Sequence, residues 1–305
     1  MAQKFDRQDI AIKAMSHYRK ALRVANAVLS NNLETTSDTT MTAIMLLGLY
    51  EASLTPKFKR HNLDFRLPPR PIHTRLISFL DMSEPANQMC LNMQHVSKWV
   101  AEVHLVILAG HANSPHQDLL RDFAVLEEKL CHWNRTALVS LSYQKVQSEC
   151  PSTEMRHDNY SGFWTVGIWN KHRATRILLH QLLLELLQSM EEIQQRANMD
   201  VCSLNYLEVK SHAIIQEMTG DILASVPFSL GEMSVPPKSV GGYFLVWSLQ
   251  TIIRCPFASS QQHDEAIAVL ERVGRQCGIR CATMIAKNSQ HYDLYKKGIP
   301  IQFTE

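Results

Sequence analysis

The sequence is poor in glycine and has no long apolar run. It contains 11 glycines in 305 residues, whereas average usage of about 7% would give roughly 21. Scarce glycine argues against a β-sandwich and against a glycine-rich nucleotide-binding fold, and it favours helices. The densest apolar run, residues 177–187, is interrupted by His180, Gln181 and Glu185. It therefore falls short of the roughly 18–20 residues that a membrane span needs.

Charge and cysteine usage exclude further classes. The 31 Lys and Arg residues against 29 Asp and Glu residues leave a formal charge of +2, so no global field points to nucleic acid or to an anionic membrane. Lys4, Asp6 and Arg7 put charges where a secretory signal would have an apolar segment. Seven scattered cysteines, an odd number, do not fit a disulfide framework and favour a reducing compartment.

Sequence motifs of catalysis are absent as well. The chain has no phosphate-binding G-x-x-x-x-G-K-[ST], no G-x-G-x-x-G, no G-x-S-x-G and no H-E-x-x-H. Cys277 and Cys281, four residues apart, could form a metal pair, but their stripe also holds Val273 and Met284, so we favour core packing. We therefore assign no catalytic residue, no metal and no cofactor. Missing motifs lower the odds of an enzyme without excluding one.

Apolar residues at helical spacing predict an all-α chain. We expect one domain over residues 1–305, a compact bundle of roughly eight to ten helices. The polar segment 144–160 is typical of a linker or surface loop. Ser259 and Gln262 form a capping box at the start of the last helix. Helices are predicted within 6–52 as a hairpin, and at 74–82, 87–109, 115–133, 163–197, 205–225, 241–254 and 259–286.

Two groups of residues are candidates for binding. Aromatic side chains with a few polar groups are typical of small-ligand pockets, although the same side chains also fill helix contacts. Core filling is the interpretation that we favour for this group, and a hydrogen-bonded core position is the one that we favour for its histidine. The candidate pocket residues are Trp164, Trp169, His172, Arg173, Tyr243 and Trp247.

The second group is a basic segment, residues 56–75, which also contains four prolines. Six cations against one carboxylate could contact phosphates, and Phe58 and Phe65 could stack on bases. A solvated loop is the interpretation that we favour, because the local excess of charge is modest. The candidate contact residues are Lys57, Lys59, Arg60, Arg66, Arg70 and Arg75.

Motifs spread along the chain resemble those of one known family. The matching segments are Tyr18-x-x-Ala21-Leu22, Leu46-Leu47-x-x-Tyr50-Glu51, Phe163-Trp164 through Trp169-x-x-x-Arg173-x-x-Arg176-Ile177-x-Leu179, Asp221-Ile222-x-Ala224-Ser225-Val226-Pro227-Phe228-x-Leu230-Gly231, and Gly241-Gly242-Tyr243-x-Leu245-x-Trp247-x-Leu249. Together they resemble the fungal-specific transcription factor domain, the regulatory domain of fungal binuclear zinc-cluster transcription factors.

Two departures from that family bear on function. The family's zinc cluster uses six cysteines with pairs spaced C-x2-C, and no two cysteines in this sequence have that spacing. We therefore expect no DNA binding through a zinc cluster by these residues. After Tyr50-Glu51 the family pattern has a Trp-x-x-His helix, where this sequence has the basic segment 56–75.

The resemblance implies a nuclear transcription-regulator-type protein without its own zinc cluster. Such a protein acts through contacts with a full-length zinc-cluster regulator or with a second copy, or by sensing a small molecule, and it serves a secondary-metabolite gene cluster. An alternative is a fold recruited for catalysis, an isomerase or cyclase acting on a hydrophobic metabolite without metal, with Trp169, His172, Arg173 and Trp247 as candidates. A helical interaction scaffold with neither role is the third hypothesis.

Overall fold

The computed structural model describes residue 66 and residues 81–109, 116–147, 156–192, 201–231 and 239–296. All of them belong to one unit, Asn62–Glu305. The predicted hairpin within 6–52 and the predicted helix at 74–82 lie outside the described residues, apart from positions 81 and 82, which precede the first described helix. The prediction of a single domain over 1–305 stays a prediction. None of the described helices is long and apolar enough to cross a bilayer.

Helices make up 85% of the described residues. Seven long helices are present in these residues, fewer than the eight to ten predicted for the chain, together with one five-residue helix and a two-stranded sheet. The elements are α1 Pro85–Ala109, α2 His116–Ser140, β1 Tyr143–Gln147, β2 Arg156–Tyr160, α3 Phe163–Glu192, α4 Val201–Ala224, α5 Val226–Leu230, α6 Ser239–Arg254, α7 Ser260–Cys277 and α8 Arg280–Lys296.

Helix α3 is the central element of the described part. It packs against α1, α4 and α6, which explains why its apolar residues are not confined to one stripe. Its Leu183 belongs to a hydrophobic cluster that α3 shares with α1 and α2. Its Ile177 and Leu184 belong to a second cluster, shared with α4, α6, α7 and α8. The two clusters therefore meet along α3.

A small antiparallel hairpin replaces part of the expected linker at 144–160. Strands β1 and β2 pair in a register that sets Tyr143 opposite Tyr160 and Lys145 opposite Asp158. The polar composition of these strands gives little β-propensity, so the pairing depends on contacts with the helices. Tyr143 and Tyr160 stack with ring centroids 4.9 Å apart, and Tyr160 is buried.

The last predicted helix is two helices. The capping box at Ser259 and Gln262 is confirmed, with both reciprocal hydrogen bonds present. Gly278 then ends α7 with a left-handed φ of 68°, and α8 begins at Arg280. The single buried stripe predicted through Cys277 and Cys281 is therefore wrong, since Cys281 is exposed. Gly274 lies where α7 and α8 approach closely, because a Cβ placed there would overlap the Thr283 side chain of α8.

Gly241 lies where α6 passes the end of α5. A Cβ on Gly241 would lie 2.7 Å from the Ser229 carbonyl carbon, closer than real Cβ atoms come to backbone atoms. We expect Gly241→Ala to lower the free energy of unfolding by about 1–3 kcal/mol. Urea unfolding followed by circular dichroism measures this loss.

Gly220, in α4, is the matched control. A Cβ there meets nothing within 4 Å, so Gly220→Ala should stabilise its helix by about 0.5–1 kcal/mol. Equal effects of the two substitutions would contradict the packing described at Gly241.

Candidate functional site

Two arginines of α3 are buried and paired with carboxylates from other elements. Arg173 and Arg176 are one helical turn apart, and each is less than 10% exposed. A buried cation is costly unless it is paired and hydrogen-bonded. Each arginine therefore defines a cluster of polar partners, and together the two clusters form the candidate site.

The first group, named the Arg173 cluster, joins α3 to the hairpin and to α4. Arg173 Nη1 donates to Tyr160 Oη at 2.7 Å and to Asn170 Oδ1 at 2.9 Å. Its Nη2 lies 3.5 Å from Asp158 Oδ2, and its Nε lies 3.7 Å from Asp221 Oδ2. The Arg173 cluster consists of Arg173, Asp158, Tyr160, Asn170 and Asp221.

Aromatic rings enclose the guanidinium of Arg173. Its Cζ lies 5.3 Å from the ring centroid of Tyr143, 5.7 Å from that of Tyr160 and 6.0 Å from that of Trp169. Cation–π attraction is strongest where water is excluded. The two carboxylates offset part of the cost of desolvating Arg173, and the rings therefore offset a further part.

Electrostatics in the Arg173 cluster favour a permanently charged guanidinium. Burial by itself would lower the pKa of Arg173, but Tyr160 and Asp221 outweigh burial and raise this pKa above its ordinary value. Burial also raises the pKa of Tyr160, and Arg173 only partly opposes it. The Tyr160 hydroxyl therefore keeps its proton.

The second group, named the Arg176 cluster, joins α3 to α2 and α4. Arg176 Nη2 donates to Glu127 Oε1, and Arg176 Nε donates to Glu127 Oε2 at 3.3 Å. His180 Nε2 lies 3.2 Å from Glu127 Oε2, and His180 Nδ1 lies 3.0 Å from Ser211 Oγ. Cys131 Sγ donates to Glu127 Oε1 at 3.4 Å. The Arg176 cluster consists of Arg176, Glu127, His180, Ser211 and Cys131.

Titration in the Arg176 cluster leaves an ionised glutamate and a neutral histidine. Burial by itself would raise the pKa of Glu127, but its contacts with His180 and Arg176 lower this pKa to about 2. Burial lowers the pKa of His180, and Glu127 only partly offsets that effect. Burial raises the pKa of the Cys131 thiol, and the Glu127 charge raises it further.

His180 lies between Ser211 and Glu127, as the histidine of a hydrolase triad lies between its serine and its acid. The hydroxyl of Ser211, however, is not accessible to a substrate. Ser211 and His180 are each 1% exposed, whereas a nucleophilic hydroxyl must reach its substrate within hydrogen-bond distance. The raised pKa of Cys131 also disfavours the reactive thiolate. What this arrangement can do is fix the relative positions of α2, α3 and α4.

The six predicted pocket residues fall into separate surroundings. Trp169 and His172 lie next to Arg173 in the core, with Trp169 Nε1 donating to the Leu141 carbonyl at 2.8 Å. Trp247 is buried in the same hydrophobic cluster as Trp169. Trp164 is exposed, and both it and Tyr243 contact the ring of Phe244. The pocket itself stays a prediction.

His172 is a hydrogen-bonded histidine in the core, which is the interpretation that the sequence analysis favours. It stacks on Trp133 at 4.8 Å between ring centroids, and Nε2 hydrogen-bonds to the Leu130 carbonyl at 3.2 Å. Burial, reinforced by the Arg176 charge, lowers the pKa of His172 to about 3. The folded protein therefore holds this imidazole neutral at every pH near neutrality.

This pKa predicts a loss of stability in mild acid. Because the folded pKa lies below the ordinary value of 6.5, the unfolded chain binds the proton first. The contribution of His172 to the free energy of unfolding is present above pH 6.5 and falls by about 1.4 kcal/mol per pH unit below it. Between pH 6.5 and 5, the slope of the free energy of unfolding against pH should therefore be smaller in His172→Phe than in wild type, by the amount that corresponds to about one proton.

Urea unfolding at a series of pH values measures this dependence in wild type and in His172→Phe. If His172→Phe left the slope at its wild-type value, the neutral buried state of His172 would be contradicted.

Of the basic segment, only Arg66 lies within the described residues. Its guanidinium pairs with both oxygens of Glu185 on α3, with Nη1–Oε2 at 2.7 Å and Nη2–Oε1 at 2.8 Å. Nη1 also lies 3.4 Å from His104 Nδ1 on α1. Arg66 is thus engaged by a carboxylate of its own chain. Lys57, Lys59, Arg60, Arg70 and Arg75 lie outside the described residues.

Sequence reasoning missed the carboxylates that pair with the α3 arginines. Glu127 and Asp158 were not singled out, and Asp221 entered only as a letter of a family motif. One signal was available: Arg173 and Arg176 interrupt a strongly apolar helix, and a buried cation requires a buried anion. Nothing local in the sequence shows which anion it is.

Comparison with known proteins finds one distant likeness to a regulator. The chain is 24% identical over 144 residues to Transcription factor dbaG of Emericella nidulans. The match covers 43% of this chain and 31% of that protein, so the chain matches less than a third of the length of its relative. No family model matches the chain, and no solved structure matches it. The chain is thus distantly similar to a fungal transcription factor.

The structure shows whether side chains could hold a metal ion only for the residues that it describes. Among them, no group of three or more His, Cys, Asp or Glu side chains is placed to hold a metal ion. The six described cysteines form no disulfide.

Proposed function

We propose that this chain is a regulatory protein of the transcription-factor type that works in the fungal nucleus through protein contacts. The observation that carries the proposal is the likeness to a fungal transcription factor. The order of the family motifs along the chain supports it. On this proposal the chain controls or assists a secondary-metabolite gene cluster by joining a regulator that binds DNA itself.

The positions of the family motifs in the fold add support. The α3 motif supplies Arg173 and Arg176, and the motif at 221–231 supplies Asp221 and Ser225. The two segments meet, since Asn170 Nδ2 donates to Ser225 Oγ at 2.9 Å and Arg173 pairs with Asp221. Arg173 and Asp221, which belong to the resemblance, thus help to join α3 to α4. A regulatory domain needs such a fixed core to present a constant surface to its partner.

Contacts of Arg66 favour protein partners over direct phosphate binding. A bidentate pair between arginine and carboxylate is among the stronger polar contacts. Arg66 would have to give up Glu185 before it could hold a phosphate. Direct DNA binding through the basic segment 56–75 is therefore not part of the proposal.

Recruitment to a promoter tests this proposal. The full chain is fused to an unrelated DNA-binding domain in a fungal strain that carries a matching reporter gene. We expect reporter transcription to differ several-fold from that with the DNA-binding domain alone. Chromatin immunoprecipitation of the fusion confirms that it occupies the promoter.

A matched pair of variants makes the readout specific. Arg121, exposed on α2 and paired with its neighbour Asp118, serves as the control, and Arg121→Met should behave as wild type. Arg173→Met should lose the effect on transcription, because it removes the core contact. Occupancy of the promoter by the wild-type fusion without any change in transcription would contradict the proposal.

A further inference from the structure

Arg66 has a strained backbone conformation. Its φ of 54° is left-handed, and this conformation is costly for a residue with a Cβ. Among the residues that the structure describes, no other residue apart from glycine has a positive φ. Such strain persists only where surrounding contacts hold it, so the contacts of the Arg66 side chain show what can hold it here.

The contacts that hold Arg66 come from α1 and α3. Both oxygens of Glu185 accept from its guanidinium, and Glu185 Oε1 also accepts from Gln181 Nε2 at 2.9 Å. Gln181 is buried, so its hydrogen bond fixes the carboxylate in place. His104 Nδ1 lies 3.4 Å from Arg66 Nη1. The group, named the Arg66 clamp, consists of Arg66, His104, Gln181 and Glu185.

The contact with His104 requires a neutral imidazole. A guanidinium has only donors, so Nδ1 of His104 is the acceptor and carries no proton. Protonation would turn Nδ1 into a donor and would place a second positive charge beside the guanidinium. A charged His104 would also attract Glu185, the carboxylate that Arg66 uses. Acid therefore replaces an attraction at this contact by a repulsion and adds a competitor for Glu185.

Electrostatics in the Arg66 clamp act in the same direction. Burial lowers the pKa of His104, and the Arg66 charge lowers it further, whereas Glu185 on α3 raises it in part. Because this pKa lies below the ordinary 6.5 while the clamp is closed, the open clamp binds the proton more readily. The closed clamp is therefore favoured above pH 6.5 and is lost as the pH falls below it.

We propose that the Arg66 clamp is an acid-sensitive device that fastens residue 66 to α1 and α3 while His104 is neutral and releases it when His104 is protonated. A released Arg66 can leave its left-handed conformation, so the relief of strain favours opening. The side chains of Arg66 and Glu185 are 28% and 21% exposed, so protons reach the clamp without unfolding of the core. The inference rests on these contacts and stands whether or not the chain regulates transcription.

Nuclear magnetic resonance of the full chain, with isotope-labelled histidine rings, tests the coupling. The His104 signal is identified by its absence from His104→Asn, and its titration gives the pKa of His104. Because linkage is reciprocal, Arg66→Met should raise this pKa above the wild-type value. Arg121→Met, which removes an exposed arginine of α2, should leave it unchanged. A wild-type pKa of His104 in Arg66→Met would overturn the proposal, and so would an equal rise in both arginine variants.

Trypsin measures the release itself. It must take the side chain of Arg66 into its own binding pocket to cut the bond that follows, so it cuts there only while the clamp is open. Above pH 6.5, His104→Lys imitates a protonated histidine, whereas His104→Asn keeps an acceptor that is never protonated. Mass spectrometry should show cleavage after Arg66 about two- to fivefold faster in His104→Lys than in wild type, the range that a surface ion pair confers. His104→Asn should match wild type.

Two outcomes of the digestion contradict the proposal. Equal rates of cleavage after Arg66 in wild type, His104→Asn and His104→Lys would show that a charge at position 104 does not open the clamp. Equal acceleration in both variants would show that any substitution at position 104 loosens Arg66, so that charge is not the cause. Circular dichroism of each variant confirms beforehand that its helices are intact.

Discussion

Arg173→Met is expected to lower the free energy of unfolding by about 3–5 kcal/mol, because it removes the buried cation that Asp158 and Asp221 share and leaves Asp221 the half-exposed Lys145 at 3.8 Å. Asp158 is 0% exposed and Asp221 is 4% exposed, so neither can turn to solvent without moving its backbone. The loss is a large part of the roughly 5–15 kcal/mol that stabilises an ordinary domain. Urea unfolding of the full chain, followed by circular dichroism, measures it.

Two further arginine variants are compared with Arg173→Met. Arg121→Met removes an exposed arginine and should cost less than about 0.5 kcal/mol. Arg173→Lys keeps the charge but loses the planar fork that reaches Tyr160 and Asn170 together, so its effect should be intermediate. A cost below about 1 kcal/mol for Arg173→Met would show that the Arg173 cluster does not hold the hairpin to α3 and α4.

Glu127→Ala should have an effect of similar size, about 3–5 kcal/mol at neutral pH, because it leaves Arg176 buried without its carboxylate. The pKa of Glu127 sets the pH window. Since the folded value of about 2 lies below the ordinary 4.5, the stability from this pair is present above pH 4.5 and is lost as the pH falls toward 2. Wild type and Glu127→Ala should therefore converge in stability over that window.

A double substitution separates the pair from its surroundings. Glu127→Leu with Arg176→Met removes both charges and keeps apolar volume, so it should recover most of the stability that Glu127→Ala loses. Glu127→Leu alone, Arg176→Met alone and the double variant are compared with wild type in a thermodynamic cycle by urea unfolding. Strict additivity of the two single losses would mean that Arg176 and Glu127 do not act as a pair.

Local sequence patterns predict much of the helical structure. The start of α3 at Phe163 and the capping box at Ser259 follow from local sequence, because apolar spacing and capping act within a few residues. The break at Gly278 was missed because Cys281 and Met284 continue the helical spacing of Cys277. Only the left-handed backbone of Gly278 ends the helix, and a glycine within an otherwise periodic segment does not by itself reveal that conformation.

The hairpin and the polar partners could not be predicted in the same way. The strand Arg156–Tyr160 is polar, and its Asp158 and Tyr160 are fixed by Arg173, which belongs to the next helix. Glu127 lies 49 residues from Arg176 in the chain. Such pairings depend on how the helices pack together, and one sequence without an alignment does not encode them in any local pattern.

The sequence analysis names some of the residues in and beside the candidate site, while the pocket that it predicts for them stays a prediction. Trp169, His172 and Arg173 were singled out as pocket residues, and the structure brings them together in the core around Arg173. Trp164 and Tyr243 lie elsewhere, beside Phe244. Sequence reasoning could identify side chains that need partners, because buried charge and aromatic surface are costly to leave unmatched. It could not assign those partners.

Transcript and metabolite profiles of a strain that lacks the gene test the central claim, regulation through protein contacts, most directly. The account predicts altered transcript levels for a set of genes, restored by the wild-type chain and by Arg121→Met but not by Arg173→Met. Unchanged transcripts together with accumulation of one unprocessed metabolite would contradict it, and would indicate an enzyme instead.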